Sequence, residues 1–278
     1  MSLPDFICIG AQKAGTTWLY EMLAQNPSIW LPPLKEVHFF DHMDSDDDVK
    51  NKRRAHIEKI ARRAAKGGRA KGSTGEGKAD FLFSLTGDNL LTEEWYRSIF
   101  SHPDSQARIS GEVTPAYLAL EEDKLAYVKS LLPNTRFLLI VREPKARNLS
   151  QIKMAAARSR NDDLTDADWK GFLRKLKIND RGNYARSIPL WQKFFGPEQL
   201  MILPFSLVRT DPAGMIATIE KHIGATPFNG YKSLDEQVHK TKEIKLPDWV
   251  VEDAAKRAEP QKEYLINAFG ADFYEKTK

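Results

Sequence analysis

One cysteine, Cys8, stands among 278 residues, so no disulfide forms within the chain and nothing points to an oxidising compartment. Its setting in the apolar run Phe6-Ile7-Cys8-Ile9 reads as core packing. No stretch approaches the run of about eighteen apolar residues that a membrane span needs, and Asp5 arrives before any charged-then-apolar leader. With neither span nor targeting segment in view, the expected home is the cytoplasm. The six histidines (His38, His42, His56, His102, His222, His239) lack the paired spacing with cysteine that makes a zinc site, and no metal is expected. Strong net charge is missing as well: the formal value is +4, and no nucleic-acid partner is expected. With 41% hydrophobic and 29% charged residues, the disordered and fibrous classes are excluded and a sizeable core is available.

What charge there is lies unevenly. Residues 49–78 hold eleven Lys/Arg against Glu58 and Glu76, a local +9, so the remainder of the chain is net acidic. That block is either a solvated helix face followed by a loop or a surface for an anionic partner. Ile57, Ile60, Ala61, Ala64 and Ala65 recur at helical spacing, which predicts a helix over 49–66 with its basic residues on the other face. The glycine-rich run GGRAKGSTGEGK that follows, to Lys78, predicts an exposed flexible loop.

The rest alternates strand and helix. Residues 5–10 form an apolar strand ending in glycine, and 16–24 carry helical spacing through Trp18, Leu19, Met22 and Leu23. A short helix over 93–100 precedes a strand over 108–113. The run RFLLIV at 136–141 is apolar on nearly every residue, as in a parallel strand buried on both faces. Pro144 then opens a helix in its first turn. Helices are predicted over 166–178, 184–195 and 212–223, the last closed by Gly224, and a strand over 199–203. This predicts an α/β fold: one domain over 1–278 with a central parallel β-sheet flanked by helices, a basic helix and glycine-rich loop inserted at about 45–80, and ligands at the C-terminal edge of the strands.

The run Gly10-Ala11-Gln12-Lys13-Ala14-Gly15-Thr16-Thr17 has the glycine spacing of a Walker A loop, but Thr16 occupies the position where a nucleotide triphosphatase carries lysine. The lysine comes three residues early, at Lys13. Glycines let backbone amides turn inward around an anion, and the following helix directs its positive end at the same place. The loop suits a phosphate or a sulfate.

With Thr16-Thr17-Trp18 after the displaced lysine, the segment QKAGTTWL resembles the 5′-phosphosulfate loop of sulfotransferases that use 3′-phosphoadenosine 5′-phosphosulfate (PAPS). The resemblance runs through further motifs in order, from about Pro4 to Phe205. Lys35-Glu36-Val37-His38-Phe39-Phe40-Asp41 is similar to the acceptor-side motif of heparan sulfate sulfotransferases and bacterial relatives, and Gly111-Glu112-Val113-Thr114-Pro115-Ala116-Tyr117 to their next motif. Val141-Arg142-Glu143-Pro144 with Arg147 and Ser150 resembles the 3′-phosphate site, and Gly182-Asn183-Tyr184 followed by Trp191 the next helix.

That resemblance implies a P-loop-like sulfotransferase fold and transfer of a sulfuryl group from PAPS to a hydroxyl or amine, with release of PAP and without a metal. Gln12, Lys13, Ala14, Gly15, Thr16 and Thr17 would hold the 5′ end, with Lys13 neutralising charge on the leaving group. Arg142 and Ser150 would hold the 3′-phosphate, Tyr184 would join the nucleotide site, and Trp18 would either stack on adenine or belong to the core. Glu36 is the leading general base, with His38 and Glu112 as alternatives. His38 and Asp41 would orient the base or the acceptor, and Glu112 could instead pair with Lys13 or Arg142. Lys240 and Lys242 resemble a basic loop that closes over the nucleotide, although Glu243 stands where the family has glycine. Val113 replaces a lysine that several heparan sulfate 3-O-sulfotransferases carry, which argues against a heparan-like acceptor. The acceptor is otherwise an unspecified small molecule or glycan. A P-loop nucleotide kinase and a non-catalytic anion-binding protein are the rival readings.

Overall fold

The computed structural model describes residues 2–278 except 72–73, 160, 162, 179–180, 235 and 237–243, and describes 67–71, 74–76 and 177–178 by backbone alone. Among the described residues five strands form one parallel sheet in the order β2-β3-β1-β4-β5. They are β1 (Phe6–Gly10), β2 (Ile29–Trp30), β3 (Ile109–Val113), β4 (Arg136–Val141) and β5 (Leu200–Pro204). β1 is buried along its whole length and β4 after its first residue, as their unbroken apolar sequence requires of strands covered on both faces. β3 is less apolar, reading ISGEV, and its glycine has a packing cause. Gly111 is level with Phe6 of β1, and a Cβ there would lie 2.3 Å from the Phe6 ring.

The helices are α1 (Thr16–Leu23), α2 (Asp47–Lys71), α3 (Thr74–Ser84), α4 (Glu93–Phe100), α5 (Glu122–Leu131), α6 (Pro144–Ser159), α7 (Asp166–Ile178), α8 (Tyr184–Phe194), α9 (Leu207–Thr210), α10 (Pro212–Ile223), α11 (Asp248–Phe269) and α12 (Ala271–Glu275). Local chemistry sets several of their ends. Thr92 accepts from the amide of Trp95 at the start of α4, and Asp211 accepts from Gly214 at the start of α10. Gly224, at φ 78°, closes α10 in the left-handed conformation. The main core surrounds the sheet. A second apolar cluster, with Ile152, Trp169, Leu173 and Val250, joins α6, α7 and α11.

One expectation fails. The glycine-rich run predicted as a loop is helical at both ends, with α2 continuing to Lys71 and α3 starting at Thr74; residues 72–73 lie outside the described set. A glycine costs a helix about 1 kcal/mol relative to alanine. α3 packs against α2 and buries Ala79 and Leu82, and burying one leucine side chain contributes roughly 1.5–3 kcal/mol. Periodicity predicts neither the two-residue strand β2 nor the C-terminal helices α11 and α12. β2 is too short to show a period, and the apolar stripe of α11 is interrupted by Pro260.

Candidate active site

The chain segments that leave β1, β3, β4 and β5 meet at the C-terminal edge of the sheet, where a parallel α/β fold presents its ligand site. After β1, the amide of Ala11 donates to the Ile140 carbonyl at 2.9 Å and that of Ala14 to Ala11 at 3.1 Å, which closes a tight loop. Lys13 (φ 71°) and Gly15 (φ 80°) both adopt the left-handed conformation. Gly15 suits it by lacking a Cβ, and a Cβ would also crowd Phe205 at 3.2 Å. Lys13 is held there from outside: Arg142 Nη1 donates to its carbonyl at 2.8 Å. α1 then begins without a side-chain cap, and the amides of Gly15, Thr16 and Thr17 have no acceptor among the described residues. Such a turn is built to receive an anion.

Cations gather around that turn. Burial lowers the pKa of the Lys13 ammonium, and the nearby charges of Arg142, Arg158 and Lys35 lower it further. Lys13 Nζ lies 3.8 Å from the Met154 sulfur, and neither Lys13, Arg142 nor Arg158 forms a salt bridge among the described residues. The Arg142 guanidinium lies over the Phe205 ring, 4.7 Å from its centroid. Tyr184 is fully buried, and its hydroxyl donates to the Arg142 carbonyl at 3.1 Å; it shapes the loop from behind. Ser150 is half-buried on α6, and its hydroxyl makes no hydrogen bond among the described residues. Trp18 is a core residue whose indole N–H donates to the Leu234 carbonyl at 3.1 Å. Ala14 and Thr16 are buried in the loop, while Gln12 and Thr17 are half-buried. Lys240 and Lys242 lie outside the described residues.

Arg147, grouped with Arg142 and Ser150 by motif, has a different position. It is 2% exposed, donates to Gln151 at 2.7 Å and Asn148 at 2.6 Å, and reaches toward the Gln12 carbonyl at 3.5 Å. Gly182 permits this, because a Cβ there would lie 2.4 Å from the guanidinium.

The acceptor-side motif forms one charge relay. His38 Nε2 lies 3.3 Å from Glu36 Oε2 and His38 Nδ1 2.7 Å from Asp41 Oδ2, so the imidazole bridges two carboxylates. Lys35 Nζ is 3.2 Å from the other Glu36 oxygen. Burial opposes charge on Glu36, but the hydrogen bond and charge of His38, together with Lys35, hold its carboxyl down to about 2. Burial likewise opposes charge on His38, and Asp41 and Glu36 outweigh it, raising the imidazole. Burial lowers His42, whose ring stacks on His38 at 4.9 Å and 9°. Donor atoms of His38, Asp41 and His42 lie within 4.8 Å of one another. Parallel stacked rings direct their in-plane lone pairs side by side, which is poor geometry for a shared metal.

Glu36 (φ 63°) and His38 (φ 55°) are both left-handed, at a cost of roughly 1–2 kcal/mol each. Three neighbours hold the backbone between them. Arg53, 6% exposed, donates to the carbonyls of Glu36 and Val37, the latter at 2.9 Å. The amides of Val37 and Phe39 donate to Thr114 Oγ1 and the Tyr117 hydroxyl, each at 2.9 Å. Glu112 lies behind these hydroxyls and contacts neither Lys13 nor Arg142; its alternative role as their charge partner is set aside. It is 1% exposed, and accepts from Thr114 at 2.5 Å, Tyr96 at 2.7 Å and Tyr117 at 3.4 Å.

Sequence reasoning assigned no role to Lys35, Arg53, Arg158, Thr114 or Tyr117. A signal existed for Arg53: four residues before Ile57, it falls on the apolar face of α2, where an arginine must find partners. Away from this edge, a cavity of about 540 Å³ opens beside Asp5, Ile109, Arg136 and Gly224. Its two charged groups are already engaged, Asp5 by Ser110 and Arg136 by the His222 carbonyl.

Comparison with known proteins places the chain among sulfotransferases. Over 236 residues the chain is 26% identical to heparan sulfate glucosamine 3-O-sulfotransferase 5 of Mus musculus, covering 81% of this chain and 54% of that protein. It is 27% identical over 250 residues to the bifunctional heparan sulfate N-deacetylase/N-sulfotransferase 4 of Mus musculus, covering 82% and 23%. The chain thus spans between a quarter and about half the length of these relatives. In fold it is similar to a sulfotransferase from Alicyclobacillus acidocaldarius, with a TM-score of 0.66 at 21% identity over the whole of both chains. It is similar also to the sulfotransferase domain from the curacin biosynthetic pathway, with a TM-score of 0.59 at 16% identity over 95% and 99%. Residues 4–229, which contain the amide turn, the cations around it and the carboxylate-imidazole relay, match the profile of the Sulfotransferase family, and the chain belongs to that family.

Proposed function

We propose that the protein transfers the sulfuryl group of PAPS to a hydroxyl or amine of an acceptor and releases PAP. The observation that carries this reading is the placement of Lys35. It pairs with Glu36 of the relay at 3.2 Å, and its charge adds, after burial, Arg142 and Arg158, to the lowering of Lys13 on the donor loop. A cation-lined anion site and a proton-accepting cluster thus lie at the same edge of the sheet, as in-line transfer from a leaving oxygen to a nucleophile requires.

In this reading the amides of Gly15, Thr16 and Thr17 and the Lys13 ammonium take the 5′-phosphosulfate and stabilise the negative charge that grows on the leaving phosphate. Arg142 and Ser150 take the 3′-phosphate. Glu36 accepts the proton of the attacking hydroxyl or amine, with His38 and Asp41 fixing its orientation. The acceptor is a small molecule or a glycan. Val113 is 1% exposed and apolar, so the side chain at this position adds no charge to an acceptor site.

The competing kinase reading lacks support at Thr16, which is buried where a Walker lysine would stand. Melting curves decide between them, because a ligand stabilises the state that binds it by mass action. PAP and PAPS should raise the melting temperature well above any effect of ATP with Mg²⁺, and equal shifts would reject the proposal. Incubating the protein and PAPS with extract metabolites, and searching for products heavier by one SO₃, would identify the acceptor.

A further inference from the structure

We propose that Glu112 is a positioning residue, which holds Glu36 and His38 in their left-handed backbone through the hydroxyls of Thr114 and Tyr117 and the amides of Val37 and Phe39. The inference rests on the sulfuryl-transfer reading for what the clamp serves, and on geometry alone for its existence.

A hydroxyl has one proton. When Thr114 and Tyr117 give theirs to Glu112, their lone pairs are left to face the chain at Val37 and Phe39, and both amides are filled at 2.9 Å. Glu112 thus sets the direction of two hydrogen-bond chains that end on alternate residues of the 36–39 segment. Arg53 grips the same segment from its carbonyl side. With the amides of Val37 and Phe39 and the carbonyls of Glu36 and Val37 all held, the segment is kept in the left-handed conformation in which Glu36 and His38 meet at 3.3 Å.

The surroundings of Glu112 leave it no direct part in the transfer. It is 1% exposed, and its two oxygens already receive three hydroxyl protons, so no acceptor can reach it. The groups facing it are Tyr96 from α4, Thr114 and Tyr117 after β3, and the charges of Asp41, His38 and Arg53. Burial pushes its carboxyl up to about 7 against the pull of the Thr114 and Tyr96 hydroxyls, with the charge of Asp41 adding to the rise and that of His38 opposing it.

Amide hydrogen exchange tests the clamp without reference to activity. Thr114→Val should speed exchange at Val37, Tyr117→Phe at Phe39, and Glu112→Gln at both, each by about tenfold or more. Thr114→Ser, which keeps the hydroxyl, should restore protection. Release of PAP from PAPS with water as acceptor tests the link to the reaction. Each of the three disruptive variants should lower kcat by roughly 10- to 100-fold and change the Kd for PAP by less than about twofold. In a Glu36→Gln background, Glu112→Gln should add less than about threefold, because it acts through the residue already removed. Losses that multiply would make Glu112 an independent contributor and overturn the proposal, as would unchanged exchange in all three variants. A wild-type protein that neither binds PAP nor releases it from PAPS would refute the sulfuryl-transfer reading; exchange would still decide whether the clamp exists.

Discussion

Arg142 Nη1 donates to the carbonyl of Lys13 at 2.8 Å, so the side chain proposed for the 3′-phosphate also secures the loop proposed for the 5′ end. Removing it should therefore weaken donors with and without a 3′-phosphate. Arg142→Ala is expected to raise the Kd for PAP by about 10- to 100-fold, the worth of one or two charge-assisted hydrogen bonds. It should also weaken adenosine 5′-phosphosulfate, by a smaller factor. Calorimetry with both ligands checks this, and an effect confined to PAP would show that the Lys13 contact is idle. Arg142→Lys should recover little, because a single ammonium cannot span both tasks.

Lys13 must be protonated to stabilise a leaving phosphate, and its pKa is lowered by burial and then by Arg142, Arg158 and Lys35. Turnover should therefore fall on the alkaline side at a pH below that of an ordinary lysine. Arg158→Ala removes one repelling charge and should shift that limb upward in a pH-rate profile. Lys13→Ala should cost roughly 10²- to 10³-fold in kcat at neutral pH. Full turnover in that variant would end the proposed role.

Glu36 and His38 titrate as a pair, since each holds the other in its charged form. While His38 is protonated, Glu36 is a weak base. As pH rises through the raised pKa of His38, that partner charge disappears and Glu36 becomes the stronger proton acceptor. Turnover should accordingly increase across the His38 titration, and His38→Asn should flatten the increase. Glu36→Gln is expected to lower turnover by about 10²- to 10⁴-fold with PAP binding nearly unchanged.

The same pair makes a prediction about folding. The folded pKa of Glu36, about 2, lies below its ordinary value of 4.5, so its stabilising contribution is present above pH 4.5 and lost as pH falls toward 2. The Glu36 side chain is 36% exposed, and solvent screening reduces the contribution to on the order of 1 kcal/mol. Urea titrations at pH 6 and pH 3 should show a smaller acid-induced loss in Glu36→Gln than in the parent.

Gly182 has no room for a methyl group, with the Arg147 guanidinium 2.4 Å from where a Cβ would stand. Gly182→Ala must displace a buried arginine from Gln151 and Asn148, and a cost of about 2–4 kcal/mol is expected from a charge that loses its partners. Denaturation midpoints measure it directly. Because Arg147 also reaches toward the Gln12 carbonyl, the Kd for PAP should rise in the same variant.

Much of the fold could be read from the chain. The unbroken run over 136–141 is β4 with the same bounds, and helix starts at Pro144, Asp166, Tyr184 and Pro212 stand where proline, capping and periodicity place them. The loop expected over 66–78 failed because glycine content describes a helix's own cost, while packing of α3 on α2 depends on a partner that local spacing does not show. For Trp18 the sequence leaves open a core place or a stacking role, and what the fold adds is its burial and its hydrogen bond to Leu234, more than two hundred residues away.

By itself the order of residues determined what acts locally: strand and helix periods, the glycine turn at Gly10 to Gly15, and the types of charged group beside it. These depend on steric and hydrogen-bonding preferences within a few residues of each position. Tertiary structure alone decided which charges meet. Lys35 pairs with Glu36, Arg142 grips the Lys13 carbonyl, Arg53 and Thr114 close on one segment from opposite sides, and Arg147 turns inward beneath the donor loop. Such pairings arise where distant segments are forced together by burial, and a buried charge must then take whatever partner the packing brings within reach.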